Sequence, residues 1–280
     1  AAMYQAKAHG RNNYQLYDVS MDVDAERRMS LEGGMRRAIE RDEFRILYQP
    51  KINSETNQII ALEALIRWEH PELGMLPPAE FIALAEETGL ILPVGEWVMR
   101  RVCLDNLQWQ EQGLPKVRVA VNLSGFQLQA KNFVETVQGI LEETGLAGEY
   151  LEFEIGETVI MQNPEFAVSV LTRLRDMGVH ISIDDFGTGY SSLSYLRRLS
   201  AQTLKIDQSF VRGMLHNGED RAITDGIIRL AEAFGREVIA EGVEQQAQLD
   251  FLTQAGCHIY QGYLFSKPVA FAELFLLLQQ

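Results

Sequence analysis

Three observations predict an α/β fold for this 280-residue chain, a (β/α)8 TIM-like barrel with room for one antiparallel strand. Eight short apolar or β-branched runs are present. Amphipathic stretches lie between most of them, several closed by glycine. Polar residues stand late in seven different runs, and in a barrel the strand ends meet at one rim.

In chain order the first two runs are "FRILYQP" and "ALEALIRW", followed by the amphipathic "AEFIALAEETG". "VRVAVNLS" and "YLEFEIGE" flank the helical pattern "NFVETVQGILEETG". "PEFAVSVLTRLRDMG" then leads to "VHISIDDFG" and "TLKIDQ". After them "AITDGIIRLAEAFG" separates the pair from "REVIAEGVE" and "HIYQGYLF". The runs have strand length and composition, whereas the intervening segments carry the 3.6-residue period of helices.

Hydrophobic content of 46% and charged content of 23% suit a globular domain with a sizeable core. A net charge of −14 argues against broad electrostatic binding of nucleic-acid polymers, but leaves a specific phosphorylated ligand open if cations reverse the local field. Cys103 and Cys257 are expected as reduced core residues rather than a disulfide. No apolar run reaches membrane-span length and no signal peptide is visible, so the expected location is cytoplasmic, without membrane contact in this stretch. The absence of an initiator Met suggests an excerpt, whose upstream segments could tether the whole protein to a membrane.

The late-strand polar residues are Glu63, Asn122, Glu154, Asp184, Lys205, Glu241 and Gln261. Alternation places Arg67 on the face of Glu63, and Asp207 on that of Lys205. Each alone has an ordinary explanation, such as a solvated Glu or a snorkelling Lys. Gathered at one rim, the carboxylates and an Asn oxygen make a hard, all-oxygen ligand set, which favours Mg²⁺ or Mn²⁺ over Zn²⁺. The five histidines form no metal-ligand pattern.

"ISIDDFGTGYSSL" sharpens the point, because Asp184 and Asp185 end a strand and run directly into Gly187 and Gly189. Adjacent carboxylates would repel a bare phosphate. A capped turn, with Asp185 or Ser191 as the cap, is the simpler local alternative. With the other strand ends, the pair reads as a bridging and a terminal ligand for two metals that activate water for phosphoryl displacement.

The ordered motifs "YQP", "EALIRW", "VNLS", "EIGET", "DDFGTGYSSL", "KIDQSF", "AEGVE" and "QGYLFSKP" resemble the EAL phosphodiesterase family, which hydrolyses the bacterial second messenger cyclic di-GMP to linear pGpG. The resemblance implies two ions, Mg²⁺ or Mn²⁺, with Ca²⁺ inhibitory. Glu63, Asn122, Glu154 and Asp184 would hold the first, and Asp184, Asp185 and Glu241 the second. Lys205, Glu241 and Gln261 would serve catalysis at the attacking water, and Gln49 and Arg67 would hold substrate. Glu157, Glu244 and Asp207 would support the ligands, Glu157 by anchoring the Gly-rich loop. One departure stands out: Gly156 occupies the position where the family usually has threonine before Glu157.

The opening "AAMYQAKAHGRNNYQLYD", residues 1–18, resembles the tail of a GGDEF diguanylate cyclase domain, with 19–30 as linker and 31–280 as the EAL domain. The whole protein would then be a GGDEF–EAL tandem. The family also favours a homodimer through the segment after Asp185, residues 186–199. Two other functions remain as competitors. One is a receptor that binds cyclic di-GMP without cleaving it, and the other a Mg²⁺-dependent barrel that abstracts a proton beside a carboxylate.

Overall fold

The computed structural model describes residues 19–189 and 193–279, with side chains from residue 27 onward. The 1–18 segment, expected as the tail of a preceding domain, lies outside the described residues. The chain divides into two compact units, Ala1–Arg45 with Arg67–Val94, and Ile46–Ile66 with Gly95–Gln280.

The strands are β1 (Phe44–Asn53), β2 (Gln58–His70), β3 (Gly74–Leu76), β4 (Arg118–Asn122), β5 (Leu151–Gly156), β6 (His180–Phe186), β7 (Thr203–Ile206), β8 (Glu237–Ala240), β9 (Ile259–Tyr260) and β10 (Val269–Ala270). Eight of them close a ring in the order β1, β2, β4, β5, β6, β7, β8, β9, with β9 returning to β1. Each of the eight runs read from the sequence supplies one strand of that ring. Neighbours from β2/β4 through β8/β9 pair in parallel, whereas β1 pairs antiparallel to β9.

The reversed strand follows from its connection. Only residues 54–57 join β1 to β2, and so tight a turn forces an antiparallel pair. Asn53 Oδ1 shapes the turn by accepting from the Glu55 and Thr56 N–H groups at 2.9 and 3.1 Å.

Helices cover the ring where the sequence has a helical period. Phe133–Thr144 buries Phe133, Val134, Val137 and Ile140, then stops at Gly145 with φ 80°. Pro164–Asp176 starts on a cap in which Asn163 accepts from the Phe166 N–H, and it buries Ala167, Val170, Leu171 and Leu174. Helices Ile91–Glu111, Gln246–Ala255 and Phe271–Leu278 also form, although they did not stand out in the sequence pattern. Cys103 and Cys257 are buried free thiols, pushed up to about 11 and about 12, chiefly by burial.

In the other unit, Phe44, Trp68 and Phe81 form an aromatic cluster with centroids 5.7–6.0 Å apart. Trp68 Nε1 donates to Glu43 Oε2 at 3.0 Å, so the ring's polar atom is satisfied. Residues 19–30, expected as a linker, are helical and belong to the continuous helix Val19–Ala38. No helix among the described residues is long and apolar enough to cross a membrane.

Close backbone approach fixes Gly262 just beyond β9. A Cβ there would collide with the Val243 backbone, whose carbonyl accepts from Leu264 N–H at 3.0 Å. Gly262→Ala is therefore expected to cost about 3 kcal/mol and to lower Tm by roughly 8 °C. Gly139, in a helix with open space around it, provides the contrast. Gly139→Ala should raise stability by about 1 kcal/mol. Thermal unfolding of the two variants checks both signs.

Candidate active site

Consecutive residues on a strand point to opposite faces, so Asp184 and Asp185 cannot both reach the rim from a regular β6. The register between β6 and β7 shifts between Ile183 and Phe186, and Asp185 takes φ 52°. Such an irregularity re-aims side chains, and aspartate tolerates the left-handed region better than most residues. As a result, carboxylate oxygens of Asp184, Asp185 and Glu241 lie within 4.8 Å of one another.

Lys205, at the middle of β7, is fully buried behind this cluster. Its Nζ is 2.5 Å from Glu241 Oε1, 2.6 Å from Glu154 Oε2 and 3.1 Å from Asp184 Oδ1. Burial alone would push the ammonium down. The Asp184, Glu154, Glu241 and Glu63 carboxylates outweigh it and hold Lys205 well above the usual lysine value.

Glu63 is held by neutral donors. Its Oε1 accepts from Asn122 Nδ2 at 2.8 Å, and its Oε2 from Gln261 Nε2 at 2.5 Å. The same Gln261 nitrogen donates to Gln49 Oε1 at 3.0 Å, and Gln49 Nε2 donates to the Ser266 carbonyl at 3.2 Å. Although burial pushes Glu63 up, Lys205, Gln261, Lys51 and Asn122 together bring it below its ordinary value.

The other carboxylates move the opposite way. Burial raises Glu154 to about 7 and lifts Glu241 well above the carboxylate range. Partial desolvation, then Asp184 and Asp207, push Asp185 up to about 6. Burial is the largest cause of each of these shifts, and the neighbouring carboxylates add to it. Each Glu154 oxygen touches a lysine ammonium, Oε1 that of Lys51 at 2.7 Å and Oε2 that of Lys205 at 2.6 Å. The cluster of hard oxygen donors at Asp184, Asp185 and Glu241 fits divalent cations.

A cavity of about 250 Å³ opens over these groups, lined by Gln49, Glu63, Asp184, Glu241, Glu244 and Gln261. Gln208, Arg212 and Tyr263 line it too, with only their place after strands to mark them in the sequence. Glu244 stands 3.7 Å from Arg212, and its N–H donates to Gln248 Oε1 at 2.8 Å. Asp207 caps helix Gln208–Gly213 by accepting from Ser209 N–H at 3.0 Å, and it faces Asp185. Arg67 falls in the other compact unit, where it is partly buried near the end of β2.

Glu157 is buried and accepts from Gly187 N–H at 2.8 Å, tying the loop after β6 to the end of β5. Gly156 is the N-cap of helix Glu157–Gln162 and makes no side-chain cap bond. A Cβ there would meet Val159 Cγ2 at 3.9 Å, an ordinary contact distance. Ser191 and part of the expected dimer segment, residues 190–192, lie outside the described residues. Within the rest of it, Leu196 and Leu199 are core, and Leu193 is 56% exposed.

Two participants escaped the sequence reading. Lys51 is completely buried, with Nζ 2.8 Å from Glu152 Oε1 and 2.7 Å from Glu154 Oε1. The available signal was alternation: Lys51 shares a face with Gln49, and Glu152 with Glu154.

The comparisons with known proteins agree with this geometry. Over 274 residues the chain is 41% identical to the bifunctional diguanylate cyclase/cyclic di-GMP phosphodiesterase MucR of Pseudomonas aeruginosa, covering 98% of this chain and 40% of that protein. It is 42% identical over 273 residues to the cyclic di-GMP phosphodiesterase NbdA of the same species, covering 98% of this chain and 35% of that protein. The chain therefore spans less than half the length of these relatives. The solved PaMucR phosphodiesterase in complex with c-di-GMP matches with a TM-score of 0.85 and 41% identity, covering 88% of this chain and 99% of that one. The model of the EAL domain matches residues 33–268, and the chain belongs to the EAL domain family.

Proposed function

We propose that this domain hydrolyses cyclic di-GMP to linear pGpG with two divalent cations, Mg²⁺ or Mn²⁺, held at the barrel rim. The observation that carries the reading is the convergence of Asp184, Asp185 and Glu241 on one point, with buried Lys205 behind them. The relatives' named activity supplies the substrate. Glu63, Asn122, Glu154 and Asp184 would hold one ion, and Asp184, Asp185 and Glu241 the other. When bound, the ions would lower the pKa of water and offset charge on the phosphoryl group.

The chain's own groups do the rest. In the reaction a water oxygen forms a bond to phosphorus, one ester P–O bond breaks, and the leaving ribose oxygen gains a proton. Lys205, held beside Glu154, Asp184 and Glu241, would stabilise negative charge at the reacting group. Glu241, 2.5 Å from Lys205 and beside Asp184 and Asp185, is placed to accept the proton of the attacking water once cations offset the neighbouring carboxylates. Gln261 and Gln49 fix Glu63 from the side. Glu157 holds the Gly187 loop beside Asp184 and Asp185. A homodimer through exposed Leu193 belongs to the same proposal, as do the cytoplasmic setting and the upstream GGDEF domain of the whole protein.

Nucleotide chromatography after incubation with cyclic di-GMP and Mg²⁺ or Mn²⁺ tests the reading. Linear pGpG is expected; bound but intact cyclic di-GMP would make the domain a receptor instead. Glu63→Ala and Asp184→Ala should each lower kcat by about 10³-fold, ~4 kcal/mol of transition-state stabilisation. Rates within a few-fold of wild type would remove these residues from the site. Ca²⁺ in place of Mg²⁺ should support binding and slow turnover at least ~10-fold, because its longer, more numerous bonds misplace the reacting groups. Lys205→Met should depress kcat with little change in KM; a change confined to KM would make Lys205 a substrate clamp.

A further inference from the structure

Lys51 has no part in the chemistry above, yet it lies fully buried inside the barrel. The interiors of such barrels are ordinarily filled by branched apolar side chains. Lysine is almost never fully buried unless paired, and an apolar residue of similar volume is often no less stabilising than a buried ion pair. Packing alone therefore gives no reason for a lysine here.

Its neighbours supply one. Below Lys51, Glu152 Oε1 accepts from Ser182 Oγ at 2.6 Å, and Glu152 Oε2 stands 3.4 Å from Arg118 Nε. Arg118 in turn reaches Glu237 at 3.1 Å. Above Lys51, Glu154 leads to Lys205, which touches Asp184 and Glu241. Charges thus alternate in sign from Glu237, at the start of β8, to Glu241, just past its end.

Glu154 sits at the pivot of this column. Its Oε1 is 2.7 Å from Lys51, and its Oε2 is 2.6 Å from Lys205 on the rim side. We infer that Lys51 is a positioning residue for Glu154: by holding Oε1 from below, it fixes the carboxylate's rotation and keeps Oε2 turned to the rim side, where Lys205 also lies. The inference rests on the reading of the rim as a divalent-cation site.

The test is Mn²⁺ affinity of the full 280-residue chain, measured by the electron paramagnetic resonance signal of free Mn²⁺, alongside kcat and KM. Lys51→Met keeps the stem and removes the charge; it should weaken Mn²⁺ binding at least ~10-fold, a change of ~1.4 kcal/mol. KM for cyclic di-GMP at saturating Mn²⁺ should change less than ~3-fold on the same scale. Because that variant strands two buried carboxylates, Lys51→Met combined with Glu152→Gln relieves one of them. This double variant should recover thermal stability while keeping the Mn²⁺ defect. Glu152→Gln alone, with the Lys51–Glu154 contact intact, should bind Mn²⁺ as wild type does. Native Mn²⁺ affinity in the folded double variant overturns the inference alone. A wild-type chain whose Mn²⁺ binding is absent, or unchanged by Asp184→Ala, overturns the cation-site reading and the inference together.

Discussion

Glu154, Asp184 and Glu241 all approach one fully buried ammonium, Lys205, and the geometry of the rim depends on that meeting. A carboxylate buried without a cation would take up a proton or turn toward water. Lys205 opposes both for three side chains, on β5, on β6 and just past β8, without cancelling the effect of burial. The gathering is incomplete in charge, since Glu63, Asp185 and Lys51 also enter the balance and carboxylates still predominate. With burial as the larger cause, the surplus contributes to Glu154 at about 7 and to the raised Glu241. The cluster of Asp184, Asp185 and Glu241 could hold a metal ion, and oxygen donors of this kind favour hard cations.

The scaffold explains why few residues suffice. Parallel pairing sets Asn122 beside Glu154 and Gly156 beside Asp184, so strand register orders most of the donors around the mouth. Below them the ring is tightly filled, and β5 is buried from Leu151 to Ile155. Rigid surroundings of this kind hold each side chain near one rotamer, which is what a geometry-dependent site needs.

Much of this was legible in the sequence because strands advertise themselves by composition and their ends by polarity. All eight barrel strands follow from apolar runs, and the seven late polar residues do gather on one side. What could not be read was anything set by a local break in periodicity. Strict alternation puts Asp184 and Asp185 on opposite faces; only the shifted register and the positive φ of Asp185 bring them together. Lys51 stayed hidden for a different reason. A lysine in an apolar run is usually one that snorkels, and nothing local reveals that Glu152 and Glu154 wait across the barrel. Residues 19–30, expected as a linker because they fall between the two stretches with a family resemblance, instead continue into the helix that ends at Ala38.

The end of β5 shows how the site and its loop share one support. Glu154 faces the two lysines, and three residues later Glu157 holds Gly187 by its N–H. Gly189 passes so near that a Cβ there would stand 3.1 Å from Glu157 Oε1. The Gly-rich loop thus runs close against one buried carboxylate, and a side chain at Gly189 would need the Glu157 carboxylate to shift by a few tenths of an ångström. Between the two glutamates stands Gly156, the residue least able to transmit rigidity and one that adds no cap to the helix it begins. Register with Asp184 constrains its backbone from the side, and the Glu157–Gly187 bond constrains it from above. The order of this corner therefore comes from its neighbours rather than from Gly156, and the position of Asp185 depends on the Glu157 contact more than it would with a capping hydroxyl in between.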